Sequence, residues 1–535
     1  MTRASKRPNF VLFITDQHRA DYLGCYGHPV LRTPNIDSIA ARGTAFDRFY
    51  VASPVCMPNR ASLMTGRMPS VHGVRSNGIP LSRQAVTFVD LLRGAGYRTA
   101  LVGKSHLQNF TGNAPLAKPR QPAEGYRSPP PSLAQAIRND LDSPDYGQEQ
   151  PDYWQRADAR IATPFYGFDH VELVRGHGDT VTGDYTRWLI EREPDALSLL
   201  GPENGLPHDY VCPQAHRTRI PAELYSTAYI AERAAAYLQR HAEGDGDDPF
   251  FLMVSFPDPH HPFNPPGKYW DLYRPEQFPV PEAFTRNDWI PPPHVQAVLD
   301  ARTRGSANLK GMRSIGTTPR EAQEAQALTC GMIACIDDAI GGVLAAIESC
   351  GHADDTVVMF TTDHGDHLGD HRLLLKGAEQ YQSIVRVPFI WSDPQAPKSA
   401  ERTGALASTI DITATILDRA RLDPYYGLQG RSLLPQIGQG EPGREAAFIQ
   451  YDHQMAGLPP DAGLRVHTLV DARWRMSVVL GSDEGELYDL AADPGEFDNL
   501  WDSPTHKSVR AELMERLART EMAHVDRVPI PTQQA

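Results

Sequence analysis

Four groups of polar residues each adjoin a short apolar run and could bind an ion or move a proton: Asp16-Gln17, Lys104-Ser105-His106, His260-His261 and Asp363-His364. Asp16, Gln17, Asp363 and His364 together offer two carboxylates, an amide oxygen and an imidazole, which suits a hard or borderline divalent cation. An Asp directly after a strand is about as often a turn or cap residue, and it is the pairing of two such sites that favours a metal. Gly365 is expected to permit a sharp turn that aims Asp363 and His364 at one ion. Lys104 and His106, two apart, point the same way in an extended segment and make a place for an anion; for this pair alone, a solvated Lys and a hydrogen-bonded His is the commoner arrangement. Cys56 begins Cys56-Met57-Pro58-Asn59-Arg60 ahead of Ala61-Ser62-Leu63-Met64-Thr65 and Gly66. That pattern predicts a short helix with Pro in its first turn and Gly as its stop. A thiol at a helix N-terminus faces N–H groups that favour an anion, so Cys56 reads either as a small core side chain or as a low-pKa nucleophile.

Strands are needed to bring these groups together. Short apolar runs without helical spacing predict buried strands over 9–15, 97–103, 250–256 and 356–362. Helical patterns fall over 34–42, with Thr33 as N-cap, and over 87–93, 229–241 and 324–350, the last interrupted near Gly341-Gly342. Alternating strands and helices give an α/β fold with a large, mostly parallel sheet sandwiched by helices. In such sheets ligands bind beyond the carboxyl ends of the strands, which is where the polar groups fall. Residues 110–215 are rich in Pro, Gly and charge and read as loop-rich decoration. From about Gly463, short strands near Leu469, over 474–480 and over 486–490 precede a helix over 505–523, predicting a smaller C-terminal α+β subdomain with a short antiparallel sheet. The expected division is 1–440 for the catalytic part and 441–535 for the C-terminal part.

The 52 Lys and Arg against 66 Asp and Glu give a net charge of −14, which argues against a nucleic-acid binder with a broad basic face. A 41% hydrophobic and 22% charged composition is that of a chain able to bury a large core. The six cysteines form no CxxC pair, against a disulfide framework or a zinc site and in favour of free thiols. The apolar run after the basic N-terminus is too short for a signal segment, and no stretch reaches the ~20 apolar residues of a membrane span. A cytoplasmic protein without a membrane partner is expected.

Cys56-x-Pro58-x-Arg60 followed by Ser62-Leu63-Met64-Thr65-Gly66 resembles the signature of the type I sulfatases, a family of the alkaline phosphatase superfamily. The order of the remaining motifs resembles it too: Gly103-Lys104-Ser105-His106-Leu107, Pro259-His260-His261-Pro262-Phe263, Asp363-His364-Gly365, Lys376, and the tail Glu486-Leu487-Tyr488-Asp489-Leu490 with Asp493-Pro494-Gly495-Glu496. The resemblance implies that Cys56 is a precursor, converted by a maturation enzyme to formylglycine. The hydrated aldehyde has two hydroxyls, one to attack sulfur and one to expel sulfate by collapse to the aldehyde. It further implies that Asp16, Gln17, Asp363, His364 and the modified Cys56 hold one divalent ion, and that Arg60 holds the diol. Lys104, His106, His260 and Lys376 would bind the sulfuryl oxygens, with His260 or Lys376 protonating the leaving oxygen.

Gln17 and His364 depart from the commonest sulfatase ligands, Asp and Asn, and resemble the branch containing phosphonate monoester hydrolases. One fewer carboxylate and an imidazole tilt the ion from calcium toward manganese. The expected activity is hydrolysis of a small-molecule sulfate monoester, arylsulfatase-like and promiscuous. The alternatives are a phosphonate monoester or phosphodiester hydrolase with the same machinery, and an inactive anion-binding relative if Cys56 stays a thiol. A homo-oligomer is expected, with the Pro-rich segment as a possible interface. Tyr166, Trp188 and His453 read as packing or surface residues.

Overall fold

The computed structural model describes residues 7–113, 122–244, 248–396, 398, 401–452 and 464–533. Fifteen strands lie among them: β1 (Asn9–Thr15), β2 (Thr44–Tyr50), β3 (Arg98–Gly103), β4 (His170–Arg175), β5 (Thr182–Gly183), β6 (Phe250–Ser255), β7 (Ile315–Gly316), β8 (Thr356–Thr362), β9 (Leu373–Leu374), β10 (Phe389–Ser392), β11 (Arg402–Ser408), β12 (Ala447–Asp452), β13 (Arg465–Val470), β14 (Trp474–Val479) and β15 (Gly485–Asp489). Every residue of β1, β6 and β8 is buried, as continuous apolar runs require when helices cover both faces of a sheet. The large sheet runs β11-β2-β10-β8-β1-β6-β3-β4-β5.

Five neighbouring strands of this sheet, β8, β1, β6, β3 and β4, are parallel. Their registers align the carboxyl ends: Thr15 pairs with Thr362, Ile14 with Ser255, Gly103 with Ser255 and Gly103 with Leu173. The expected strands β1, β3, β6 and β8 form within a residue of their predicted bounds, whereas β2, β4, β10 and β11 were not anticipated. Strand β10 is antiparallel to both its neighbours and is only four residues long, too short to show periodicity.

The long helix spans Pro319–Ser349 without a break, against the expected interruption. A Cβ on Gly341 would lie 2.6 Å from the Asn35 side chain, so this glycine permits close approach of the Pro34–Arg42 helix. Thr33 takes the N-cap position as expected, but its side chain makes no capping hydrogen bond. The N–H groups of Asn35 and Ile36 donate to the Asp337 carboxylate of the long helix at 3.1 and 2.8 Å, while Thr33 Oγ1 donates to Asp37. By length and composition this helix could cross a membrane, contrary to the expectation from sequence, and 67% of its most apolar window is buried inside the fold. Ile336, Ile340, Val343 and Ile347 pack with Val11, Phe13 and Phe360 of the sheet, which makes it a core helix.

The C-terminal sheet is antiparallel, β12-β13-β14-β15, and packs beside the Lys507–Ala523 helix through Leu513 and Leu517. Strand β12 was not anticipated. Tyr166 and Trp188 are packing residues, Tyr166 donating to Leu81 O at 2.6 Å and Trp188 meeting Tyr185 and Tyr229. His453 and Gly463 lie outside the described residues. All six cysteines are free thiols.

Two histidines, His72 half-buried and His371 buried, make stability pH-dependent. His72 accepts from Val74 N at 3.1 Å and lies 3.0 Å from Ser62 Oγ; burial, aided by Arg67, pushes its pKa down to about 3. His371 stacks on Tyr381 at 3.5 Å, and burial with the nearby His367 pushes it down to about 3 as well. Between pH 6.5 and about 3 the unfolded chain takes up protons that these folded imidazoles refuse, so stability falls as pH drops through that window. From pH 7 to pH 5 each should cost about 2 kcal/mol. His72→Gln should lower the urea midpoint at pH 7 but flatten its decline to pH 5; an unchanged slope would refute the assignment.

Candidate active site

The aligned carboxyl ends of β1, β3, β6 and β8 deliver Asp16-Gln17, Lys104, His260 and Asp363-His364 to one crevice. Cys56 joins them as the first residue of the Cys56–Thr65 helix, all ten residues of which are buried. Val55 precedes the helix as N-cap, Asn77 Oδ1 accepts the Met57 N–H at 3.0 Å, and Gly66 ends the helix in the left-handed region at φ 59°. None of Asp16, Gln17, Cys56, Arg60, Lys104, His106, His260, Asp363, His364 and Lys376 is more than 6% exposed.

Backbone geometry explains how adjacent side chains share a site. Gln17 has φ 62°, a left-handed conformation that carries its side chain off the strand alternation. Gly365, expected to permit a sharp turn, is not among the left-handed residues. It serves close approach instead, since a Cβ there would lie 1.9 Å from Ser383 O. His106 departs from the extended geometry expected of it, with φ 58°, and stacks on Phe110 at 4.0 Å; the Lys104 ammonium lies 5.6 Å from the centre of the same ring.

The two carboxylates divide their oxygens. Asp16 Oδ2 takes the Lys104 ammonium, with Arg60 Nη2 at 3.9 Å, while Asp16 Oδ1 faces His364 Nε2 at 3.4 Å and Cys56 Sγ at 3.8 Å. Asp363 Oδ2 accepts from Arg60 Nε at 2.7 Å, and its Oδ1 accepts from Gln17 N at 3.1 Å and lies 3.5 Å from His364 Nε2. His364 Nδ1 donates to Gly365 O at 2.9 Å, leaving Nε2 with the lone pair that a metal needs. Gln17 Nε2 is committed to Asp366 Oδ2 and to His261 Nδ1, so its carbonyl oxygen is the end turned toward Lys376 and the donor cluster.

Asp16, Cys56, Asp363 and His364 present ligand atoms all within 4.8 Å of one another. Lys376 Nζ donates to Gln17 Oε1 at 3.0 Å, Cys56 Sγ at 3.2 Å and His364 Nε2 at 2.8 Å, so these donors already gather round a positive charge. The donor set fits a divalent ion.

Burial would raise the Asp16 carboxyl, but Lys104, His260, His177 and Lys376 outweigh it and hold the group well below the usual carboxylate range. The Cys56 thiol is pushed up by burial and Asp16 and pulled further down by Lys376 and His364, ending below its ordinary value. Burial, with neighbouring cations and imidazoles, pushes His106, His260 and His261 well down. His260 Nδ1 donates to His261 O at 2.5 Å; its Nε2 is buried and, among the described residues, has no hydrogen-bond partner, as is true of His106 Nδ1 and Arg60 Nη2.

The structure adds three residues that the sequence reading missed. Asp366 orients Gln17 and accepts the N–H groups of Leu368 and Leu375 at 2.8 and 2.9 Å. Glu149 accepts the N–H groups of His106, Leu107 and Gln108 at 2.9 to 3.2 Å and so holds the turn after β3. His177 lies 2.7 Å from Lys104 Nζ and 3.6 Å from Asp16 Oδ2. It follows β4 directly, so the rule that polar residues after strands form the site would have found it had β4 been recognised.

A parallel sheet whose edge gathers two carboxylates, several imidazoles, three cationic side chains and a helix-terminal cysteine defines a hydrolase of anionic esters. The chain belongs to the sulfatase family, whose model matches residues 8–422; a model described as N-sulphoglucosamine sulphohydrolase, C-terminal, matches 369–523. It is thus a sulfuric ester hydrolase of the type I sulfatase group. It is 28% identical to a multifunctional alkaline phosphatase superfamily protein, PehA, of Trinickia caryophylli, covering 97% of this chain and 96% of that one. It is 27% identical to an arylsulfatase of Clostridium perfringens over 97% and 96% of the two chains. Among solved structures it matches a phosphonate monoester hydrolase of Agrobacterium radiobacter at 26% identity, with a TM-score of 0.76 over 99% and 98% of the chains.

Removal of a metal donor should be separable from removal of an outer cation. His364→Ala should lower bound divalent metal, read by elemental analysis of purified protein, by at least about tenfold, while Lys104→Ala keeps it near stoichiometric. Equal metal content in both variants would show that His364 is not a metal ligand.

Proposed function

We propose that the protein is a formylglycine- and metal-dependent hydrolase of sulfate monoesters, arylsulfatase-like and promiscuous toward related esters. The observation that carries this reading is the placement of Cys56 at the N-terminus of a buried helix, beside His364 Nε2 at 3.1 Å and Lys376 Nζ at 3.2 Å. Converted by a maturation enzyme, Cys56 would supply a hydrated aldehyde whose hydroxyl attacks sulfur. One divalent ion, calcium or manganese, would be held by Asp16, Gln17, Asp363 and His364 and would supply Lewis acidity.

The remaining work falls to this chain's own side chains. Arg60 pairs with Asp363 at 2.7 Å and reaches toward Asp16, offsetting their charge in a dry site. Lys104, His106 and Lys376 are placed to grip sulfuryl oxygens and stabilise charge that grows as the ester bond breaks. His260 Nε2 is the free ring nitrogen at which a proton is held or moved at the leaving oxygen, a role Lys376 can share. Burial of the whole set excludes bulk water and strengthens each of these contacts.

A second reading, a phosphonate monoester or phosphodiester hydrolase, draws support from Gln17 and His364 in the donor set and from the likeness to a phosphonate monoester hydrolase. Matched aryl sulfate and aryl phosphonate esters decide between them, and a phosphonate kcat/KM far above the sulfate value would overturn the first. The mass of the peptide spanning Cys56 should fall below that of the thiol form in protein from its native source. An unmodified peptide together with no turnover would support an inactive anion-binding protein. Cys56→Ala should abolish turnover while leaving the melting temperature within a few degrees of the parent's; substantial residual activity would remove Cys56 as the nucleophile's origin.

A further inference from the structure

The segment over 110–215 contributes one imidazole to the crevice, and its environment is built with unusual care. His177 stands between Gly176, at φ 95°, and Gly178, at φ 60°, so the chain passes through left-handed backbone on either side of it. A Cβ on Gly178 would lie 2.6 Å from Pro262 Cγ, which presses this turn against the loop bearing His260 and His261. Thr180 Oγ1 donates to His177 O at 3.1 Å, and the adjoining Asp179 pairs with the buried His216 at 3.0 Å.

Held in this way, the His177 ring makes two different contacts. Its face stacks on His260 with centroids 3.7 Å apart and planes 11° apart, and Phe110 meets it edge-on at 5.6 Å. Its Nε2 lies 2.7 Å from Lys104 Nζ. An ammonium only donates, so Nε2 is the acceptor. A residue that merely filled space would need no nitrogen on Lys104, and one that merely paired with Lys104 would need no parallel ring on His260.

We infer that His177 is a positioning residue: its ring nitrogen fixes Lys104 Nζ and its face fixes the plane of His260, so that one side chain sets the aim of two groups that meet the ester. The inference rests on the reading above, in which Lys104 grips a sulfuryl oxygen and His260 serves the leaving oxygen. The two contacts are separable by substitution. His177→Phe keeps a flat ring on His260 and removes the nitrogen; His177→Gln keeps an acceptor near Lys104 and removes the ring.

Steady-state kinetics over a series of aryl sulfates of graded leaving-group pKa, with matched aryl phosphonates in parallel, tests this in the mature holoenzyme. His177→Phe should raise KM by about tenfold with the parent's dependence on leaving group. His177→Gln should keep KM near the parent value and steepen that dependence, so that poor leaving groups lose about tenfold more kcat/KM than good ones. Losses of one common factor for every ester in both variants, or no losses, would overturn the inference. So would failure of both variants to fold, since His177 would then hold its loop and not the two side chains. A parent enzyme that turns over neither ester class sinks the functional reading and this inference with it; turnover with an unchanged slope in His177→Gln sinks this inference alone.

Discussion

The whole architecture turns on burying two carboxylates at the ends of adjacent parallel strands. Asp16 and Asp363 are fully buried, and an isolated carboxylate out of water costs several kcal/mol even after relaxation. The cost is offset only because Arg60 bridges toward both and Lys104 takes the outer oxygen of Asp16. Each of these cations comes from a different element, the Cys56–Thr65 helix and the end of β3. Their geometry is therefore met only when β1, β3, β8 and that helix are all in register. The site is a consequence of the sheet, and the sheet edge could not close over these charges without it.

The same balance resolves the tension between a net charge of −14 and an anionic substrate. Overall charge governs solubility and long-range encounter, whereas affinity at the crevice depends on the local field. Locally the outer carboxylate oxygens are neutralised by cations, and the inner ones face His364 and Cys56. Arg60 Nη2, His106 Nδ1 and His260 Nε2 are buried without a hydrogen-bond partner among the described residues, and such groups are expensive unless a ligand satisfies them.

Much of this was legible in the sequence, because fully buried strands read as continuous apolar runs and the polar residues that follow them stand out. β1, β3, β6 and β8 were found in this way, and with them Asp16, Gln17, Lys104, His260, Asp363 and His364. The failures have physical causes. Strand β10 has four residues, β4 alternates polar and apolar positions, and β11 is half exposed, so none carries the signature of a two-sided buried strand. Missing β4 concealed His177. The predicted break at Gly341-Gly342 took a glycine for a helix stop where the fold uses it to admit Asn35. Gly365 is used for close approach to Ser383 O, and Gln17 on the neighbouring strand is left-handed, a conformation no side-chain pattern announces.

The C-terminal sheet takes part in the same constraint. Arg475 of β14 is completely buried, paired with Glu486 at 2.7 Å and with Glu496, and lies near the Tyr381 and Tyr488 rings at 5.2 and 4.6 Å. Glu496 in turn accepts the Gln382 N–H at 2.7 Å through its carboxylate and His371 Nε2 at 3.1 Å through its carbonyl. Those two residues flank the stretch that carries Lys376. The longer run from Asp363 and His364 to Gln382 therefore leaves β8 at its start and is tied to Glu496 on either side of Lys376. Breaking such a buried pair by removing one partner costs roughly 3–5 kcal/mol, because the remaining charge is stranded. A segment fixed at both ends by interactions of that size can hold the Lys376 ammonium against Gln17, Cys56 and His364, where a loop tethered at one end would let it swing into solvent.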